Sequence, residues 1–70
     1  MENKTHRILR LKEVQLLTAL SRSTIYEYMK LGKFPKAVKL GTHSVGWVES
    51  EIQEWITYLV EARNEGVAAF

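Results

Sequence analysis

Thr18-Ala19-Leu20-Ser21-Arg22-Ser23-Thr24-Ile25-Tyr26-Glu27-Tyr28-Met29-Lys30-Leu31-Gly32 holds the start and the stop of one helix. Ser21 is a good N-cap, because its hydroxyl can accept from the unpaired amides of a first helical turn. Gly32 supplies the left-handed residue that commonly ends a helix. Between them Ile25 and Met29 share one face with Tyr28 beside them, while Arg22, Ser23, Tyr26, Glu27 and Lys30 point elsewhere. The spacing predicts a helix from Arg22 to Leu31. Upstream, Leu11, Val14 and Leu17 recur at steps of three and four, which predicts a short helix over Lys12 to Thr18. Two short helices joined by a turn of about three residues have helix-turn-helix spacing.

Downstream of Gly32 the chain changes character. Phe34-Pro35 stops helical continuation, since proline lacks an amide donor and pushes its predecessor toward extended geometry. Lys36 to Leu40 and Val45 to Val48 favour strands, with Gly41-Thr42-His43-Ser44 as the loop of a small β-hairpin. Ser50 and Gln53 then resemble a capping box, and Ile52, Trp55, Ile56, Leu59 and Val60 form an apolar helical stripe. Glu49, Glu51 and Glu54 gather near the amino end of this third helix, where the helix dipole favours negative charge. The expected fold is mainly α with a small β-hairpin, a winged helix-turn-helix. It should occupy residues 8–64, between a flexible amino terminus (1–7) and a frayed carboxyl-terminal tail (65–70). Ile25, Tyr28, Met29, Val38, Trp47, Trp55, Ile56 and Leu59 are the expected core.

At 70 residues the chain makes one domain, and so small a body has little surface to spend on a deep catalytic pocket. With 46% hydrophobic and 26% charged residues it reads as a soluble globular protein. No apolar run is long enough to cross a bilayer, and MENKTHRILR resembles no secretory signal, so a cytoplasmic location and no membrane contact are expected. Cysteine and aspartate are both absent, which removes disulfides, thiolate ligands and the usual carboxylate of a nucleophilic triad. His6 and His43 lack metal-ligand spacing, and no glycine-rich phosphate loop is present. Neither an enzyme nor a cofactor is expected.

The net charge of +2 hides an asymmetry. Residues 1–47 carry nine Lys/Arg against three Glu, whereas residues 48–70 carry one Arg against five Glu. One part of the molecule should attract a polyanion while another stays solvated and repels it. The exposed face of the second helix mixes a guanidinium, hydroxyls, a phenol and an ammonium, all of which donate to phosphates or base edges. Arg22, near the amino end of a helix suited to a major groove, is placed for a bidentate contact with guanine. Ser23 and Tyr26 can reach bases or phosphates, and Lys30 a phosphate. Glu27 would be repelled by the phosphates unless it accepts from cytosine or pairs with Arg22 or Lys30. Taken singly these residues describe a solvated helix face. Combined with the turn and a basic hairpin they point to double-stranded DNA.

Arg10-Leu-Lys-Glu-Val14, Thr18-Ala-Leu-Ser-Arg-Ser-Thr-Ile-Tyr26, Gly32-Lys-Phe-Pro-Lys36, Val38-Lys-Leu-Gly41, Val45-Gly-Trp47 and Glu49-Ser-Glu51 with Trp55 together resemble the AlpA family. These are small prophage-associated transcriptional regulators, similar in fold to phage excisionases and MerR-type DNA-binding domains. The resemblance spans about residues 8–60. It implies a recognition helix carrying Arg22, Ser23, Thr24 and Tyr26, and a wing at Gly41 to Ser44 reaching phosphates or a minor groove. Ala19 stands where the family usually has glycine, at a turn position suited to positive φ. His43 stands where the family commonly has a wing-tip arginine.

The function expected from these features is sequence-specific regulation of transcription for a mobile element, with Lys36, Lys39, Thr42, His43 and Ser44 holding the DNA backbone. An excisionase-like architectural role in recombination is the first alternative, and a protein-interaction adaptor is the second. Because one such domain reads few base pairs, dimerisation or cooperative assembly on DNA is expected, and an integrase or RNA polymerase is a candidate protein contact.

Overall fold

The computed structural model describes residues 6–66, in the order β1 (Ile8–Leu9), α1 (Leu11–Thr18), α2 (Arg22–Lys30), β2 (Val38–Lys39), β3 (Val45–Val48) and α3 (Glu49–Asn64). The strands form an antiparallel sheet with β3 in the centre, Ile8 facing Val48, Leu9 facing Trp47, Val38 facing Gly46 and Lys39 facing Val45. Three helices with a small antiparallel sheet make this a winged helix-turn-helix.

β1 has no counterpart among the elements expected from the sequence. Two residues are too few for an alternation to register, yet this strand closes the far edge of the sheet and buries Leu9. Nor is the segment before it wholly loose. The Arg7 carbonyl accepts from the Glu49 amide at 2.8 Å, and its guanidinium lies 3.4 Å from the Glu49 carboxylate and 3.8 Å from that of Glu13. Arg7, within the stretch 1–7 expected to be flexible, is thus held through both backbone and side chain; residues 1–5 and 67–70, with most of the expected tail, lie outside the described residues.

α1 starts with the Glu13 carboxylate accepting from the Arg10 amide at 2.8 Å. It ends where Thr18 donates its hydroxyl to the Val14 carbonyl at 2.7 Å and accepts the Leu20 amide at 3.3 Å. Ala19 then turns the chain at φ 62° and ψ 19°, the one non-glycine residue with positive φ among those described. The cost of seating a Cβ there is about 1–2 kcal/mol. α2 begins as expected, with Ser21 Oγ accepting from the Thr24 amide at 3.2 Å, and Gly32 follows its carboxyl end at φ 75°.

α3 departs from the expectation at its start. The N-cap is Val48 rather than Ser50, and no side chain caps it. The Arg7 carbonyl beside β1 serves the first amide instead, because β3 runs into the helix without a break. Leu9, Val14, Ile25, Phe34, Trp47 and Ile52 form the core, with Tyr28, Met29, Trp55 and Ile56 packed partly buried around it. Leu59 is half-buried. Val38 is a correction: it is exposed, since β2 is an edge strand with only β3 beside it. Leu17 and Val60, placed in apolar stripes by spacing, are exposed as well.

Gly46 is where the sheet demands a glycine. A Cβ there would collide with Ile8 Cγ2 and sit 3.1 Å from the Leu9 carbonyl oxygen and from Leu40 Cδ1. Its lack of a side chain lets β1 and the start of the hairpin loop close over β3.

Candidate nucleic-acid interface

The exposed face of α2 is built from its amino end. Ser21 caps the helix twice, accepting from the Thr24 amide and donating its hydroxyl to Thr24 Oγ1 at 3.0 Å. Arg22 and Ser23 follow immediately and are exposed. Thr24 is half-buried, its hydroxyl engaged with Ser21, and one residue later Ile25 is fully buried against the core. Tyr26, Glu27 and Lys30 complete the exposed face. Five of the six α2 residues singled out from the sequence therefore share one open surface, and Thr24 sits at its margin.

Two contacts order this surface. Arg22 and Tyr26 are four residues apart, one helical turn, so their side chains lie one above the other. The Arg22 guanidinium carbon is 5.6 Å from the centroid of the Tyr26 ring, a cation–π distance. The same ring packs against Trp47 of β3, with centroids 6.3 Å apart and planes inclined at 75°. That edge-to-face arrangement is favoured by the ring quadrupoles. Trp47 is fully buried, and its indole N–H has no hydrogen-bond partner among the described residues. Tyr26 thus links the exposed face of α2 to the central strand of the sheet. Glu27 forms no ion pair with Arg22 or Lys30 among the described residues, so that expected neutralisation is not found.

The wing is held differently. The Ser44 carbonyl accepts from the Leu40 amide at 2.8 Å and from the Gly41 amide at 3.2 Å, which closes the loop through backbone alone. Thr42 and His43 are exposed at its tip, and Ser44 is half-buried. Lys39 is exposed on β2, beside a shallow depression shared with Leu40, Gly41 and Thr42. Lys36 belongs elsewhere. It lines a groove of about 850 Å³ between the Gly32–Val38 segment and α3, with Glu51 and Glu54 on the other wall. Phe34 and Trp55 meet edge-to-face there at 4.8 Å, and the Trp55 indole donates to the Lys33 carbonyl at 2.7 Å.

The sequence reading missed the pairing of Tyr26 with Trp47 and the tie from Arg7 to Glu13 and Glu49. Neither leaves a local signature, since Tyr26 and Trp47, and Arg7 and Glu49, are far apart in the chain, and Arg7 and Glu13 lie on either side of β1. Among the described residues no group of His, Asp or Glu is arranged to hold a metal ion, and no helix is long and apolar enough to cross a membrane.

The family model described as the prophage CP4-57 regulatory protein AlpA matches residues 7–60. An uncharacterized protein, ORF88, of Enterobacteria phage P4 is 44% identical over 63 residues, covering 90% of this chain and 72% of its own. The DNA-binding transcriptional activator AlpA of Escherichia coli strain K12 is 44% identical over 57 residues, covering 73% of this chain and 81% of its own.

Proposed function

The chain belongs to the AlpA family of prophage regulatory proteins, and from that premise we propose that it binds duplex DNA as a transcriptional regulator of a prophage or related mobile element. The observation that carries this reading is the face of α2, where Arg22, Ser23, Tyr26, Glu27 and Lys30 are all exposed on a helix capped at Ser21. A helix presented in this way enters a major groove with its amino-terminal residues against base edges. Arg22 reads guanine through its paired donors, and Ser23 adds a hydroxyl beside it. Glu27, exposed and without an ion pair among the described residues, accepts from a cytosine amino group. Lys30, Lys39, Thr42, His43 and Ser44 contact the sugar-phosphate backbone, which fixes the register of the helix. Thr24 contributes chiefly by holding Ser21. Lys36 makes its backbone contact from the groove side of the hairpin.

The relative named as a DNA-binding transcriptional activator supports this reading, as does the net positive charge of residues 1–47. The protein acts in the cytoplasm, on the nucleoid, without a cofactor. Because one domain of this size covers few base pairs, several copies act together on one control region.

Selection of bound duplexes from a random pool tests the proposal. Enrichment of one short motif, with sites next to promoters of mobile-element genes, is the expected result. Absence of any enriched duplex, together with no retention on non-specific DNA at low salt, would overturn it.

A further inference from the structure

We infer that Tyr26 is a positioning residue, holding the Arg22 guanidinium in its reading geometry before DNA arrives. The inference rests on the DNA-binding reading of α2 and deepens it: the phenol ring, rather than its hydroxyl, becomes the part that determines specificity.

The geometry supplies the reason. An arginine on an exposed helix face has four side-chain torsions, and ordering such a side chain on binding costs affinity. Arg22 is not left to sample them freely, because its guanidinium lies over the Tyr26 ring at 5.6 Å. The ring is itself anchored, for it also packs against Trp47, which is fully buried in the central strand. The chain of contacts therefore runs from a rigid core position, through Tyr26, to the charged group at the surface. The ring contact uses none of the guanidinium N–H donors in a hydrogen bond, and those are the groups a guanine edge engages. Lysine in place of Arg22 would keep the charge but has no plane to stack.

Tyr26 also joins α2 to β3 through an aromatic pair. The position of the arginine is thereby referred to the hairpin that carries the wing. Reading helix and wing share a common anchor in Trp47.

The test uses the full chain and the duplex recovered from a random pool by the wild-type protein, with single-base variants of that duplex. Tyr26→Leu removes the ring, Tyr26→Phe keeps it, and Arg22→Lys keeps the charge but removes both the planar group that the ring holds and its paired donors. Tyr26→Leu should lower discrimination between the selected duplex and its best single-base variant about two- to tenfold. The slope of log affinity against log salt should stay as in wild type, since no charged group is removed, and Tyr26→Phe should keep wild-type discrimination. In the Arg22→Lys background Tyr26→Leu should cause no further loss of discrimination. In free protein, the Arg22 side-chain proton resonances should show a ring-current shift in wild type and Tyr26→Phe that disappears in Tyr26→Leu. Should Tyr26→Leu fail to fold, the Tyr26→Phe and Arg22→Lys comparison decides. Equal loss in Tyr26→Phe and wild-type-like discrimination in Arg22→Lys would overturn the inference, placing the role in the hydroxyl. Unchanged discrimination in Tyr26→Leu, or no ring-current shift in wild type, would also overturn it while leaving the DNA-binding reading intact. Failure of wild type to retain any duplex would instead overturn the underlying reading.

Discussion

The helix-turn-helix and the wing carry their exposed polar groups on supports of different kinds. At the start of α2 the supports are side chains: Ser21 caps the helix and Tyr26 ties Arg22 to the buried Trp47. At the wing tip they are backbone atoms, with the Ser44 carbonyl closing the loop onto Leu40 and Gly41 while Thr42 and His43 project freely. A side chain held by others keeps its geometry and suits readout of base edges, whereas a tip held only by its backbone can follow the shape of a phosphate ridge. On the DNA-binding function proposed above, the contrast would give specificity to α2 and adaptable affinity to the wing. The backbone conformations differ too. The turn before α2 is closed by an alanine at positive φ, and the strand behind the wing is closed by a glycine that space requires.

The largest expected effect comes from filling that space. Gly46→Ala would drive a methyl into Ile8 and toward the Leu9 carbonyl, and overpacking of this kind costs about 1–3 kcal/mol. Denaturant unfolding should show the loss, with the β1–β3 pairing opening first by amide exchange. An unchanged midpoint would mean that β1 does not close on β3 as described. Ala19→Gly should act in the opposite direction. Relieving a left-handed alanine should stabilise the fold by about 1 kcal/mol, after allowing for the greater backbone freedom of glycine in the unfolded chain. A lower melting temperature in this variant would show that the turn gains from the methyl. The smallest effect belongs to the wing tip. His43→Arg adds a fixed positive charge to an exposed loop, and one new phosphate contact should steepen the slope of log affinity against log salt by about 0.9. Base preference should not change, because the tip makes no base contact in this account.

The features legible in the sequence are those whose causes are local. Ser21 and Gly32 marked the ends of α2 because capping involves neighbours within a turn. The burial of Ile25 followed from helical spacing in the same way. The left-handed turn at Ala19 was visible through the family resemblance, which noted glycine as the usual residue there. What escaped depends on contacts between distant residues. β1 exists because Leu9 pairs with Trp47, the start of α3 because a carbonyl at Arg7 replaces a side-chain cap. Val38 appeared to belong to the core because alternation marks a strand but not whether its outer edge is covered. At the candidate site, the residues of the α2 face could be named from spacing alone, but the coupling of Tyr26 to Trp47 could not.

The division of labour between the two regions is tested most directly by measuring affinity across a salt series for wild type, Arg22→Ala and Lys39→Ala, on the selected duplex and on a scrambled one. Arg22→Ala should reduce the preference for the selected duplex by about 1–3 kcal/mol. Lys39→Ala should weaken both duplexes alike and lower the salt slope by about one contact. Equal losses on both duplexes for Arg22→Ala, or a loss of preference for Lys39→Ala, would contradict the assignment of specificity to α2 and of backbone grip to the wing.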